Sequence, residues 1–333
     1  MSSTRLIKLC GQVFKGQPLQ ILKASLLLLA AALLIFPASL AAAAGAGNPP
    51  APAARPPILR IAHVAFLTSN LTEARRFYGT VLGFDEAFDV KLPGSGANVA
   101  FFKVNDHQYI ELYSLSGGPN EDHLVNIAFE TPDVKAMHAY LASRGVRDLE
   151  SVHPLLAKNP GFALTDPNGH VIQFVQYTPG SMTGQRMGKD LPASRVSTEI
   201  IHAGFIVRNR ATDDQLYKDI LGFSLMWYGG KNDTETDWLD MRVPNGSNWI
   251  EYMMNVHDLS QHTLGVNHHF SLGVPSVAAA AKIISARGYK PVKPQIGRDG
   301  KWQLNLYDPD GTRVEMMEPK PVRTPCCSPM HLQ

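Results

Sequence analysis

Short apolar runs that carry one polar residue at a fixed place recur along the chain. In four of them the polar residue is near the start, in IAHVAFLTSN, LVNIAFETPD, IIHAGFIVRN and NHHFSLGVPS, and it is His63, Asn126, His202 and His269. In four others it is central, in YIELYSL, HVIQFVQY, WIEYMMN and RVEMMEP, and it is Glu111, Gln173, Glu251 and Glu315. Runs of this length and composition are typical of β-strands. The pattern therefore predicts four pairs of strands with polar side chains in equivalent places.

Between the strands of a pair, the apolar spacing changes to that of a helix. After the first strand, Asn70 is a candidate N-cap, and the inner face is formed by Leu71, Ala74, Phe77, Tyr78 and Val81. After the fourth, Ser276 is the candidate N-cap, and the inner face is formed by Val277, Ala280, Ile283 and Ile284. Gly288 is placed to end that helix as a C′ glycine.

The copies are in register with each other, which indicates duplication. His63 and His202 each lie 19 residues before a Leu-Gly-Phe sequence. The Asp-Pro-Asn-Gly turn at 166–169 is followed 142 residues later by Asp-Pro-Asp-Gly at 308–311. Such internal similarity is typical of a repeated architecture. Each copy is predicted to consist of a strand, a helix and then two or three strands.

With these repeats and their polar residues in register, the chain resembles the vicinal oxygen chelate (VOC) superfamily. That superfamily includes glyoxalase I, extradiol dioxygenases, epimerases, and bleomycin and fosfomycin resistance proteins. The resemblance implies an α+β fold of tandem modules, in which four βαβββ units form two cup-shaped mixed sheets with helices outside. It places module 1 at residues 58–178, a linker at 179–197, module 2 at 198–319 and a C-terminal tail at 320–333.

Module 2 is predicted to bind one divalent transition metal, Mn, Ni, Zn or Fe, and no organic cofactor. Carried over from the resemblance, the ligand positions are His202, Glu251, His269 and Glu315. Imidazole and carboxylate groups suit a divalent metal at an open catalytic site. Four such groups inside apolar strands would also be costly to bury without partners.

His268 competes with His269 for the fourth ligand position, since strand neighbours face opposite sides. His269 lies seven residues before Ser276, as His63 lies seven residues before Asn70. This spacing favours His269 as the ligand and predicts a structural role for His268 on the other face.

Module 1 offers a weaker set at the same positions, namely His63, Glu111, Asn126 and Gln173. Amide oxygens of Asn and Gln are neutral and are weak ligands for transition metals. Module 1 is therefore predicted to be either a metal-free pocket or a purely structural half.

Alternation along the ligand strands of module 2 predicts what surrounds the metal. Trp249 and Met253 share a face with Glu251, and Arg313 and Met317 share a face with Glu315. This gives an apolar pocket with one cation. Arg313 either binds an anionic oxygen of the substrate or is a surface charge beside a turn.

The first 44 residues have the pattern of an export signal. Four basic residues precede an apolar run at Ser25–Phe36, and a stretch of small residues follows, with a cleavage zone near Ala42–Ala44. The alternative is an uncleaved anchor, because residues 24–44 are long enough to span a bilayer. The protein is expected to be periplasmic or extracellular, or membrane-anchored if the signal is not cleaved. Residues 45–57 form a Pro/Ala-rich linker.

Composition argues against nucleic-acid binding and against a disulfide framework. The 333 residues are 44% hydrophobic and carry a net charge of +2, with no basic cluster outside the N-terminus, so nucleic acid is not an expected partner. The three cysteines are Cys10, Cys326 and Cys327, and adjacent cysteines rarely bridge each other, so no disulfide framework is expected.

The expected partner is a small molecule whose oxygen binds the metal. Two carboxylates among the ligands favour metal-assisted proton transfer of the lyase or isomerase type, with Glu251 as base and Arg313 as a second catalytic residue. One alternative is an extradiol ring-cleaving dioxygenase, although SNWIEYMM lacks the histidine that those enzymes carry on this strand. The other is a non-catalytic protein that sequesters a ligand, as bleomycin resistance proteins do.

Overall fold

The structure, a computed structural model, describes residues 54–115 and 122–331. The expected signal or anchor at residues 1–44 lies outside this range, as does most of the linker at 45–57. Within the described range, no helix is long and apolar enough to cross a membrane.

In its described residues, module 1 contains eight strands and two helical segments. The first unit consists of β1 (Arg60–Leu67), α1 (Leu71–Arg75) with a π-helical continuation (Arg76–Val81), β2 (Glu86–Lys91), β3 (Asn98–Asn105) and β4 (Gln108–Tyr113). The second unit consists of β5 (Leu124–Glu130), α2 (Val134–Ser143), β6 (His153–Pro154), β7 (Pro160–Thr165) and β8 (Val171–Val175). A short 3₁₀ turn, Gly184–Arg186, lies in the connection to module 2.

Module 2 repeats this order and adds one helix. Its first unit consists of β9 (Ile200–Ile206), α3 (Arg210–Asp213) with a π-helical continuation (Asp214–Ile220), β10 (Ser224–Gly229), β11 (Trp238–Arg242) and β12 (Trp249–Met253). The added helix is α4 (Gln261–Asn267). The second unit consists of β13 (His269–Gly273), α5 (Val277–Ala286), β14 (Gln295–Ile296), β15 (Trp302–Tyr307) and β16 (Arg313–Met317).

Each module folds into one curled sheet of eight strands. The orders are β2-β3-β4-β1-β5-β8-β7-β6 and β10-β11-β12-β9-β13-β16-β15-β14. The first and last strands of both units thus occupy the middle of each sheet, paired in parallel within a unit and antiparallel between units. The predicted α+β fold of four βαβββ units in two mixed sheets is confirmed. This order places the four predicted ligand strands of each module side by side.

The predicted helix boundaries agree with the hydrogen bonds. The Asn70 side chain accepts from the amides of Thr72 and Glu73, and Ser276 accepts from the amide of Ala279. Gly288, just beyond α5, has a φ of +90°, which favours glycine.

The prediction for Ile283 was wrong, because its side chain is 41% exposed. Val277, Ala280 and Ile284 form the buried stripe of α5. Consecutive residues on a helix point about 100° apart. Because Ile284 belongs to the buried stripe, its neighbour Ile283 points away from it toward solvent.

The two modules contact each other through a symmetric pair of hydrogen bonds. Tyr78 Oη donates to Asp308 Oδ2 at 3.0 Å, and Tyr217 Oη donates to Asp166 Oδ2 at 3.1 Å. Each tyrosine lies in a π-helical segment, and each aspartate begins the Asp-Pro-x-Gly turn of the other module. One hydrophobic core also includes residues of both modules. The duplication therefore extends to the interface, and the modules pack as one body.

Candidate metal centre

Strand pairing places the four predicted ligands of module 2 on the concave face of its sheet, called the cup below. On the parallel pair β9 and β12, Glu251 is the partner of Gly204, and His202 lies two residues before that glycine. On β13, His269 is the partner of the same Gly204, and on β16 Glu315 is the partner of Ser271. Partners in a sheet point to the same face, so the side chains converge.

The donor atoms of these side chains form a compact group. His202 Nε2 and His269 Nε2 are 3.2 Å apart. Glu315 Oε2 lies 3.1 Å from His202 Nε2, and Glu251 Oε2 lies 3.2 Å from His269 Nε2. Donor atoms from His202, Glu251 and His269 all lie within 4.8 Å of one another. The result is two adjacent imidazoles with a carboxylate on each side.

Gly204 leaves the space that the His269 ring occupies. A Cβ at this position would lie 2.0 Å from His269 Cε1 and 2.5 Å from its Nδ1. No side chain other than hydrogen fits between them without moving the ring. His269 is also held by the contact of its Nδ1 with the Asn267 carbonyl oxygen at 3.1 Å.

Burial and neighbouring charges keep His269 neutral and the carboxyls ionised. Burial, together with the positive charge of Arg313, lowers the pKa of His269 to about 4. Burial alone would raise the pKa of Glu315, but the hydrogen bond and charge of His202 outweigh it and lower that pKa to about 2. Burial would also raise the pKa of Glu251, but the hydrogen bond with His269 and the charges of His202 and Arg313 outweigh it and lower that pKa. A neutral imidazole and ionised carboxylates are the forms that bind a metal.

Arg313 lies inside the cup. Its Nη2 donates to His269 Nε2 at 2.7 Å and lies 3.9 Å from Glu251 Oε2. Its side chain is only 15% exposed, so the alternative interpretation as a solvated surface charge does not hold.

His268 does not reach this group. Its Nδ1 lies 2.6 Å from Asp122 Oδ1, and its ring packs edge-on against His170 at 5.1 Å. This arrangement agrees with the prediction that His269 faces the ligand group and His268 faces the other side of the strand.

Neighbouring strands add polar residues that the sequence analysis missed. Asp240 on β11 is the partner of Glu251, and Asn305 on β15 is the partner of Glu315. Asp240 Oδ1, Asn305 Oδ1 and Ser271 Oγ are buried, with no hydrogen-bond partner among the described residues. Buried polar atoms without partners are rare in folded proteins and mark a place for a ligand or ion. Alternation on each strand gave a signal, but only the register between strands brings these residues to the site.

The C-terminal tail forms part of the wall of the cup. It lies along β10, where the amide of His331 donates to the Met226 carbonyl at 2.9 Å. Met330 packs against a cluster formed by Ile201, Met226, Trp249 and Met317. Lys301 Nζ lies 4.5 Å above the Trp249 ring. No role for the tail or for Lys301 was predicted from the sequence.

The sequence profile of the Glyoxalase/Bleomycin resistance protein/Dioxygenase superfamily matches residues 60–174 and again residues 200–316. The chain belongs to this superfamily. No curated protein sequence matches it.

Solved structures with this fold include extradiol dioxygenases. A single-site variant of homoprotocatechuate 2,3-dioxygenase from B. fuscum has a TM-score of 0.60 at 20% identity, over 81% of this chain and 73% of that chain. An anaerobic complex of that enzyme with 3,4-dihydroxyphenylacetate, from Brevibacterium fuscum, has a TM-score of 0.59 at 20% identity, over 81% and 83%. The 2,3-dioxygenase LapB from Pseudomonas sp. KL28 has a TM-score of 0.59 at 18% identity, over 82% and 97%. At these identities the likeness shows the fold.

In this superfamily member the donor atoms of His202, Glu251 and His269 are close enough to hold one divalent metal, and Glu315 adjoins them through His202. Ligand atoms bound at about 2.0–2.2 Å to one ion lie about 3–3.5 Å from each other. The separations of 3.2 Å between the imidazoles and 3.1 and 3.2 Å to the carboxylates lie in that range, and the 4.0 Å between His202 Nε2 and Glu251 Oε2 lies beyond it. The donor set of two imidazoles and two carboxylates suits Mn, Fe, Ni or Zn.

In module 1 the polar side chains at the equivalent positions contact one another. His63 Nε2 lies 3.0 Å from Asn126 Oδ1 and 3.2 Å from Gln173 Oε1, and its Nδ1 lies 3.3 Å from Glu111 Oε1. Burial lowers the pKa of His63 to about 4 and raises that of Glu111 to about 8. Both pKa shifts favour the neutral forms of His63 and Glu111 at neutral pH. The set is uncharged and internally hydrogen-bonded.

Proposed function

We propose that this protein is a metal-dependent enzyme that transfers a proton next to a carbonyl of a small oxygen-chelating substrate, as lyases and isomerases of the superfamily do. The observation that carries the proposal is the second carboxylate. His202, His269 and Glu315 would supply three ligands, and Glu251, whose carboxylate lies within 4.8 Å of both imidazoles, would be the fourth group. A bound divalent ion would supply Lewis acidity toward a substrate oxygen.

Glu251 is the residue that best suits the role of general base. Its side chain is 16% exposed, whereas that of Glu315 is 5% exposed, so Glu251 is the more accessible to a substrate in the cup. A general base must lie within hydrogen-bond reach of the proton that it removes. Glu315 instead contacts His202 and serves to hold the site together.

Arg313 and Trp249 would position the substrate. The Arg313 guanidinium is the cation beside Glu251, and it can stabilise negative charge on a substrate oxygen as the proton leaves. The Trp249 ring lies 5.0 Å from the His202 ring and provides an apolar wall. These roles require a small substrate with one polar end.

The second candidate function is extradiol ring cleavage. Two histidines and one carboxylate within 4.8 Å form the type of ligand set that non-haem iron oxygenases use. The same face of β12 carries Trp249 and Met253 on either side of Glu251, and no histidine. The strand therefore lacks the acid–base histidine expected from the resemblance, which favours proton transfer.

The discriminating experiment compares deuterium exchange with oxygen consumption. The metal-loaded protein is incubated in D₂O with α-hydroxy- and α-keto-carbonyl compounds, and separately with catechols at an oxygen electrode. We expect metal-dependent deuterium incorporation and no oxygen uptake. Metal-dependent oxygen uptake without exchange would assign the protein to the dioxygenases, and binding without either reaction would indicate a ligand-sequestering protein.

We also propose that the enzyme is exported, on the basis of the charged, apolar and alanine-rich segments of residues 1–44. N-terminal sequencing of the protein from fractionated cells is expected to show a mature start near residues 43–47 in the periplasmic or extracellular fraction. Intact Met1 in a cytosolic pool would contradict export, and intact Met1 in the membrane fraction would support the anchor.

A further inference from the structure

Module 1 contains a cavity of about 550 Å³ on the concave face of its sheet. Its lining includes His63, Tyr109, Glu111, Ala163 and Val171. Small-molecule sites in proteins have volumes of about 300–1,000 Å³. Of the two predictions for module 1, the cavity favours a pocket over a purely structural half.

The cavity has lost the charges that the cup of module 2 carries at equivalent positions. In module 2 the partner of Glu251 is Asp240. In module 1 the partner of Glu111 is Phe101, which lines the cavity. An ionisable side chain is thus replaced by an aromatic ring.

The last strand of each module shows the same change. Arg313 lies two residues before the ligand on β16, and Val171 takes this place on β8. Asn305 is the partner of Glu315, whereas Ala163 is the partner at the module 1 position. The cation becomes an aliphatic side chain, and a polar side chain becomes a methyl group that leaves open space.

The floor of the cavity is polar and uncharged. His63 Nδ1 lies 3.3 Å from Glu111 Oε1, and burial favours the neutral form of both side chains. Tyr109 lies on the same face as Glu111 and is 1% exposed. Among the described residues its hydroxyl has no hydrogen-bond partner. A buried hydroxyl in this state costs free energy that a ligand with one polar atom would recover.

We propose that module 1 binds an uncharged, mainly apolar small molecule that carries a hydroxyl or carbonyl group, without a metal. The walls around the floor are mainly apolar, whereas the lining residues Lys91 and Lys158 are exposed and Asp122 is paired with His268. A charge on the buried end of a ligand would lack a partner there, which is costly. The polar floor fixes the orientation of the single polar group. The site is separate from the metal centre and does not depend on its chemistry.

Two fluorescent probes with the same ring skeleton test the charge preference. N-phenyl-1-naphthylamine is uncharged, and 1-anilinonaphthalene-8-sulfonate carries a sulfonate. Titrated into the full metal-loaded chain, the uncharged probe is expected to bind with one equivalent and at least about tenfold more tightly than the sulfonate. Equal or tighter binding of the sulfonate would overturn the proposal.

Variants locate the probe. Val171→Arg restores the charge that module 2 has at this position, and Ala163→Phe fills the cavity without a charge. Each is expected to weaken binding of the uncharged probe by about tenfold or more. An unchanged metal content shows that each variant is folded. His269→Ala should retain the probe. Binding that survives both module 1 variants, or that is lost in His269→Ala, would contradict the proposal.

Discussion

Replacing Glu251 with glutamine is expected to leave the metal bound and to reduce turnover by a factor of about 10²–10⁴, the range for loss of general-base catalysis. His202, His269 and Glu315 remain as ligands in this variant, and glutamine preserves the shape of the side chain. The two readouts are metal content after dialysis and the rate of deuterium exchange.

Glu315→Gln is the matched control for Glu251→Gln, because it removes the same charge from the opposite side of the site. Glu315 Oε2 contacts His202 Nε2 at 3.1 Å, and this control is expected to lose the metal. If Glu251→Gln loses the metal and Glu315→Gln keeps it, the roles of the two carboxylates are reversed. If Glu251→Gln keeps both metal and turnover, Glu251 is not the base.

Adding one methyl group at Gly204 is expected to weaken metal binding by at least about tenfold, as loss of ligand positioning does in metal sites. The new Cβ would lie 2.0 Å from His269 Cε1 and 2.9 Å from Nε2, so the ring must leave its present position. The dissociation constant of the metal, measured by competition with a chelator, is the readout.

Gly79→Ala is the control for Gly204→Ala, since its nearest neighbours would lie 3.7 and 3.8 Å from the added Cβ. It is expected to bind metal as the wild type does, and thermal unfolding shows whether either variant is destabilised. Wild-type affinity in a folded Gly204→Ala variant would show that the position of His269 does not determine metal binding.

The sequence predicted those parts of the molecule that depend on local pattern. Alternation and caps located the strands and the helix starts at Asn70 and Ser276, because both are set by residues close in the chain. Ile283 shows where local pattern fails. An apolar residue next to the buried stripe of a helix looks the same in the sequence as one inside the stripe.

The sequence predicted the candidate metal ligands, because they occupy equivalent places on repeated strands. It did not predict the other residues of the site. Asp240 and Asn305 reach the cup through pairing with Glu251 and Glu315, and a single sequence does not give that register. Met330 packs against the cluster that includes Trp249, and these residues are so far apart in the sequence that no local pattern predicts the packing. The module 1 cavity likewise depends on the volumes of side chains from several strands.

Elemental analysis tests directly whether module 2 holds one divalent metal through His202, Glu251, His269 and Glu315. The protein is loaded in turn with Mn²⁺, Ni²⁺, Zn²⁺ and, under argon, Fe²⁺, then dialysed and analysed. We predict one equivalent per chain, lost in His202→Ala and His269→Ala and retained in His63→Ala. Two equivalents, none with any of the four metals, or full retention in His269→Ala would contradict a single metal site in module 2.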